Sequence, residues 1–389
     1  MRPQLLFVDD TSVTSEHTLR ELLTPEGVDV RLRHPENLTM RDLQRAHLVV
    51  VDYFLSDWSE RDESAPARAP RDGLAVAGNL RSLLLPKLGG REMGPDEVPP
   101  VAFALWSAHL QEATFELPEA LREHVFAREN NLEWAFSRES ITSGTAVPQL
   151  ADLARAVHLL PEQWPSRENG LDAIDALLSL LDLATTSLVP WQERGRDQML
   201  SCHPPVFELS ERSHGLVILR WLLHRILPYP TFLIDRQYLQ ARLRVDALPD
   251  DADAPLWTEL GRARYTGILR RFGGDRWWRA GVESWLWRAT DGQSGDSQAV
   301  AALAASLGAT AERPWRQPVI VMGPDYRRGT SPVELEETVR LRPDDWPPYA
   351  DTAFAERSAA QEAPRLGALV DTSDRHVLDD PDLADDSDQ

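Results

Sequence analysis

The chain has 389 residues, 42% of them hydrophobic, and its 62 acidic side chains outnumber 41 basic ones for a net charge of −21. That length supports two or three domains, each with a core of its own, and 13 tryptophans exclude a disordered chain. The charge excludes general affinity for nucleic acid, because phosphate backbones demand clustered cations, and the single cysteine, Cys202, excludes an intramolecular disulfide.

The first 160 residues alternate strand and helix patterns. LLFVDD (5–10) reads as a buried strand ending in two acids, and 15–23 as a helix opened by a Ser cap. VDVRLRH (28–34) alternates as a second strand, followed by a short helix at 38–46. HLVVVDYFL (47–55) is a third strand, and its run of three valines predicts burial on both faces. A polar loop at 56–72 leads to a helix at 73–85, and a Gly- and Pro-rich loop at 86–100 leads to a fourth buried strand, VAFALWSAH (101–109). A helix at 118–130, a fifth strand LEWAFS (132–137) and an amphipathic helix at 147–160 complete the series. Five strands with intervening helices predict a parallel sheet covered on both faces. The expected class is therefore α/β, flavodoxin-like and doubly wound, in strand order 2-1-3-4-5.

Beyond 165 the strand signal fades, and a mostly α-helical second domain is expected to about 360. Helical spacing appears at 171–184, 215–227, 232–245, 256–272 and 276–289, with one late strand at 318–323. Residues 361–389 read as an acidic, disordered tail, since the last 19 hold eight aspartates. No signal segment is expected, because no extended apolar stretch precedes the first acidic pair of MRPQLLFVDD. The longest apolar run, 214–230, is interrupted by Arg220, His224 and Arg225 and is shorter than the roughly 20 apolar residues a membrane span needs. A soluble, cytoplasmic protein without a membrane partner is the expectation.

In an open parallel sheet, ligands bind outside the carboxyl ends of the strands, where strand order reverses. Asp9 and Asp10 close the first strand and Asp52 the third, so order 2-1-3-4-5 makes them meet. Three such carboxylates suit a hard divalent cation, Mg²⁺, with Asp52 an oxygen nucleophile beside it. On these residues, positions 1–160 resemble the receiver domain of two-component response regulators. That family has an acid pair after strand one, a phosphoacceptor aspartate after strand three, Ser or Thr after strand four and Lys after strand five. FVDD supplies Asp9 and Asp10, VVVDYFL supplies Asp52, and ALWSAH supplies Ser107. The resemblance implies Mg²⁺ on Asp9, Asp10 and Asp52, phosphorylation of Asp52 by a sensor histidine kinase, and a Ser107 hydroxyl that turns toward the phosphoryl group. It implies no enzymatic activity beyond that phosphoacceptor chemistry.

Two departures stand out. The only lysine, Lys87, lies before strand four, and Arg138 (preceded by Ser137) stands at the family's lysine position. The exchange is not conservative, because a guanidinium differs from an ammonium in shape and donor geometry. The loop after Asp52 is also long and carries Asp57, Glu60, Asp62 and Glu63, closing only at Gly73. A phosphorylation-independent pseudo-receiver that serves as a scaffold or adaptor is the alternative these departures leave open.

Three other features read as structural. Arg262–Arg288 contains seven arginines with Trp277, Trp278, Trp285 and Trp287, expected as amphipathic helices with core tryptophans and rim arginines that suit a protein surface. Cys202, His203, His214 and His224 lack the spacing of a zinc site. No glycine-rich phosphate loop occurs, since RFGGD and PKLGG lack the Lys-Ser/Thr that completes one.

Overall fold

The three valines of 49–51 do form a strand buried on both faces. They lie at the centre of the fold in the computed structural model, which describes residues 2–10, 16–55, 58, 72–84, 100–115, 117–161, 164–165, 170–183, 189–207, 209, 215–313 and 315–378. The first half runs β1 (Gln4–Val8), α1 (Glu16–Leu23), β2 (Asp29–Arg33), α2 (Met40–Arg45), β3 (Leu48–Asp52), α3 (Gly73–Leu84), β4 (Ala102–Ser107), α4 (Leu110–Ala113), α5 (Arg122–Glu129), β5 (Trp134–Ser137), α6 (Arg138–Thr142) and α7 (Val147–His158). The five strands make one sheet in order β2-β1-β3-β4-β5, parallel throughout. This is the flavodoxin-like, doubly wound architecture.

Alternation along each strand sorts the apolar residues into two layers. Leu6, Val8, Val49, Val51, Phe103 and Leu105 pack with residues of α2, α3 and α5. Leu5, Phe7, Leu48, Val50, Ala104 and Trp106 pack on the other face with α1 and α7. That second core does not stop at α7. It continues without a break through Trp164 (1% exposed), Leu177, Leu181, Ile218, Leu222, Phe232 and Trp278, so one shared core spans both halves beside clusters that belong to each half alone.

The second half comprises α8 (Gly170–Leu180), α9 (Pro190–Ser201), α10 (Leu216–Trp221), β6 (Leu233–Asp235), α11 (Arg236–Leu243), α12 (Pro255–Glu259), β7 (Arg276–Trp278), α13 (Arg279–Ala289) and α14 (Ser297–Ser306). Then come β8 (Pro318–Val319), β9 (Val333–Glu334), β10 (Thr338–Leu341), β11 (Ala353–Glu356), α15 (Arg357–Glu362), α16 (Pro364–Gly367) and α17 (Arg375–Leu378). It is mainly helical as expected, with three small antiparallel pairs, β6–β7, β8–β9 and β10–β11. No helix among the described residues is long and apolar enough to cross a membrane.

Several expected boundaries move. The helix predicted over 256–272 ends after α12 and a 3-10 turn at Leu260–Ala263. The cause is a close approach: a Cβ on Gly267 would lie 2.6 Å from the Leu181 backbone, and Ile268 N–H donates to the Leu180 carbonyl at 2.9 Å. Segments 232–245 and 276–289 each open as a strand before turning helical, because Leu233–Asp235 and Arg276–Trp278 pair with each other. The disordered tail expected from 361 is corrected through Leu378: Leu366 and Val370 are buried against Val339 and Ala355, and Asp374 binds Arg340 at 2.6 Å. Residues 379–389 lie outside the described residues.

Polar groups also cross between the halves. Buried Glu133 accepts from Phe103 N–H and from Arg220 Nε at 2.7 Å, and Glu26 pairs with Arg155 at 3.1 Å and with Arg271. His124 on α5 stacks on His224, which lies in a π-helical turn (Leu222–Ile226) continuing α10, with ring centroids 5.4 Å apart. Burial, and then the neighbouring His224, push the His124 imidazole down to about 4. In the unfolded chain it takes up its proton near pH 6.5. Between those values the unfolded state binds more protons, so stability falls as pH drops from about 6.5 toward 4. Denaturant titrations should show His124→Phe losing about 1–3 kcal/mol less than wild type over that interval; equal losses would remove His124 as the cause.

Candidate functional site

The acids reach one place because their strands are neighbours. β1 pairs with β3 from Leu5↔Leu48 to Val8↔Val51, and Asp9 and Asp10 follow Val8 as Asp52 follows Val51. Asp9 and Asp52 are each 3% exposed, and one carboxylate oxygen from each of Asp9, Asp10 and Asp52 lies within 4.8 Å of the others. Asp10 Oδ2 accepts from Trp58 N–H at 2.7 Å, which fastens one residue of the long loop onto the cluster. Gly73, the first residue of α3, abuts the Asp52 carbonyl so closely that a Cβ there would stand 2.0 Å from its oxygen.

Arg138 enters from the far side of the sheet. Ser137 ends β5, and its Oγ accepts from Ser140 N–H at 3.0 Å, which starts α6 and sets Arg138 on the first turn. The guanidinium lies over the Trp106 ring, 4.8 Å from its centroid, and Nη2 donates to Asp52 Oδ2 at 2.7 Å and Asp9 Oδ2 at 3.4 Å. Stacking on a tryptophan and donating through a planar fork are both guanidinium properties. Ser107, buried one residue beyond Trp106, accepts from His109 N–H through Oγ at 3.0 Å.

Three carboxylates against one guanidinium leave an excess of negative charge out of water. Burial raises the Asp52 carboxyl to about 7 against the pull of Arg138, and Asp9 and Asp10 push in the same direction as burial. Asp10 Oδ1 is buried with no hydrogen-bond partner, an orphan acceptor that a hard cation would satisfy. Clustered carboxylates offering only oxygen donors fit Mg²⁺.

The structure thus brings together Asp9, Asp10, Asp52 and Arg138, with Ser107 on the adjoining strand end. Lys87 and the loop acids Asp57, Glu60, Asp62 and Glu63 lie outside the described residues. Sequence reading missed Trp106, although the aromatic in ALWSAH directly before Ser107 was the available signal, and it missed the Trp58 amide, for which there was none. The arginine-rich segment does not form one basic patch: Arg264 pairs with Asp275 at 2.6 Å, Arg279 with Asp351 at 2.7 Å, Arg271 with Glu26, and Arg276 is buried on carbonyls of Phe272, Gly274 and Leu227. Trp277, Trp278 and Trp285 are core residues, as expected, and Trp287 is exposed. Cys202 is buried with its thiol pushed up to about 11 by that burial, and His224 bonds to the Leu132 carbonyl at 3.0 Å; His214 lies outside the described residues.

Fold and cluster together define a flavodoxin-like α/β protein with an acid site at its strand ends. No protein-family model matches the chain, and no curated protein matches it. Among solved structures, it is similar to a response regulator receiver domain protein from Clostridium thermocellum, at 10% identity over 40% of this chain and 92% of that one, with a TM-score of 0.25. It is also similar to NtrX from Brucella abortus. In complex with ATP, NtrX gives 18% identity, 46% of this chain, 35% of that one and a TM-score of 0.24. In complex with ADP it gives 14%, 71%, 58% and 0.25.

Proposed function

We propose that the chain is a receiver-type signalling protein in which Asp52 accepts a phosphoryl group and the second half carries the response. The observation behind this reading is the convergence of Asp9, Asp10 and Asp52 with Arg138 at the end of the parallel sheet. Asp9, Asp10 and Asp52 would hold Mg²⁺, which when bound supplies positive charge against the phosphoryl oxygens. The Asp52 carboxylate is the nucleophile. A phosphoryl group there adds about −1.5 to −2 charge, and Arg138 exchanges its bond to Asp52 for one to the new oxygens. Ser107 Oγ already accepts from His109 N–H, which leaves its own proton to donate to the same group.

Movement of Arg138 acts on the end of β5. Trp134, at the start of that strand, packs edge-on against Phe272 at 4.7 Å and stacks with His224 at 6.2 Å, both residues of the second half. A donor of the sensor histidine kinase class would act on Asp52, and a further protein partner would read the second half. Incubation with a small acyl phosphate and Mg²⁺ should yield a single phosphoryl adduct by intact mass, absent in Asp52→Asn. An unmodified wild type, or an adduct that persists in the variant, refutes the reading.

One observation favours a second reading, a pseudo-receiver scaffold that binds its partner without phosphate. Arg138 already supplies a counter-charge at 2.7 Å, and burial holds part of the Asp52 population protonated near neutral pH. For such a scaffold Asp52→Asn keeps partner binding unchanged, whereas the switch loses it.

A further inference from the structure

The second half contains a cavity of about 890 Å³ on the side formed by α9, α11, α13, β8 and the start of β11. Its volume falls within the range of small-molecule sites, roughly 300–1,000 Å³. Its charge is unlike the rest of the molecule. Arg194, Arg242 and Arg244 line it, in a chain whose net charge is −21. Only two carboxylates, Glu283 and Asp351, line the same space, and one of them is already engaged. Arg279 grips Asp351 with two bonds, at 2.8 and 2.7 Å.

What remains for the three arginines is weak. Arg242 reaches Asp351 only at 3.5 Å and Glu283 only at 4.0 Å. Arg194 has no ion-pair partner among the described residues. Arg244 caps α11 in the left-handed region, at φ 57°, and its guanidinium bonds to Ser297 Oγ. Burial lowers the Arg244 guanidinium from its ordinary value, against the opposing pull of Asp296 and Glu334, neither of which lines the cavity. Guanidiniums with spare forked donors are matched to phosphate or carboxylate oxygens.

The cavity also offers a flat surface. Trp287 is 59% exposed, the opposite of Trp277 and Trp285 on the same stretch of chain. Gly292, at φ +85°, lies under the Trp287 indole so closely that a Cβ would meet the ring at 3.3 Å, and Gly292 N–H donates to the Trp287 carbonyl at 2.8 Å. A large apolar ring lying against a glycine and open to solvent offers a stacking surface. Phe354 lines the same cavity.

We infer that this cavity binds a small anion bearing a planar ring, the chemistry of a nucleoside monophosphate, with Arg242 and Arg194 on the anionic group and Trp287 on the ring. The inference assigns a site to the second half and does not depend on phosphoryl transfer at Asp52. Neither half of such a ligand suffices alone, because the cations without the ring, or the ring without the cations, use only part of the site.

Calorimetric titration of the full chain with AMP and GMP should give saturable binding below about 1 mM. Adenosine and inorganic phosphate should each bind at least about tenfold more weakly than AMP. Arg242→Ala and Trp287→Ala should each weaken AMP at least about tenfold. Both side chains are exposed, so the variants should keep the wild-type melting temperature, and Arg194→Gln provides a third variant on a separate helix. No saturable binding of either nucleotide overturns the inference. So does nucleotide binding that survives all three substitutions, or that adenosine or phosphate alone reproduces.

Discussion

Gly73→Ala is expected to cost about 3 kcal/mol or more and to displace Asp52. The added Cβ would stand 2.0 Å from the Asp52 carbonyl oxygen, 2.8 Å from its carbon and 3.0 Å from the Tyr53 Cα. All three are backbone atoms of the strand end that presents the acid, so no side chain can swing away. Gly73 N–H also donates to the Tyr53 carbonyl at 2.8 Å, which ties the start of α3 to the same residues. Relief requires α3 to lift from β3 or the Asp52 peptide to turn, and either shifts the carboxylate away from Arg138. Gly78, in the same helix, has nothing within 4 Å of a built Cβ. Gly78→Ala should therefore stabilise by about 0.5–1 kcal/mol through the unfolded chain alone. Urea unfolding of the pair settles the matter: similar values for both would show that the close approach at Gly73 carries no energy.

The sheet was legible because its information is local. Three valines in a row at 49–51, or AFALW at 102–106, have few other places to go than a strand covered on both faces. Strand ends then place the acids, since register carries Val8 beside Val51 and leaves Asp9, Asp10 and Asp52 one residue further on. Arg138 could be placed at the end of β5, but not its partners. That it spans Asp52 and Asp9 while lying on Trp106 depends on side-chain reach across two strands, which no periodicity encodes.

The second half was less legible for the opposite reason. Its strands are two to four residues long, and their partners lie far away in the chain, as when Leu233 pairs with Trp278. RWW at 276–278 reads equally well as the start of a helix, and only the pairing decides. The segment after Ala263 fails to be helical because Gly267 meets the Leu181 backbone, a contact between residues 86 positions apart. The shared core has the same origin: α7 is buried along nearly its whole length, and what covers its outer side lies beyond residue 160.

Removal of Arg138 should have the second large effect, and its dependence on Mg²⁺ separates the roles of the two possible counter-charges. Its guanidinium is the cation bonded to Asp52 and Asp9, in a cluster of three buried carboxylates. Taking one partner from a buried pair leaves an uncompensated charge and costs about 3–5 kcal/mol. Arg138→Ala in chelator should lose stability of that order, and Mg²⁺ should raise its melting temperature more than that of wild type, because the ion then answers charge that nothing else does. Asp52→Asn changes the cluster in the opposite direction. The Asp52 carboxyl titrates near 7 when folded and near its ordinary value when unfolded, so its contribution is favourable at low pH and is lost as pH rises through 7. Neutralising it should therefore stabilise the metal-free protein more at pH 8 than at pH 5, and should recover part of the loss when added to Arg138→Ala. If Arg138→Ala is as stable as wild type in chelator, the guanidinium is not the charge that holds the cluster together. If Mg²⁺ shifts neither protein, the three aspartates are a structural knot rather than a metal site, and the pseudo-receiver reading is the one that stands.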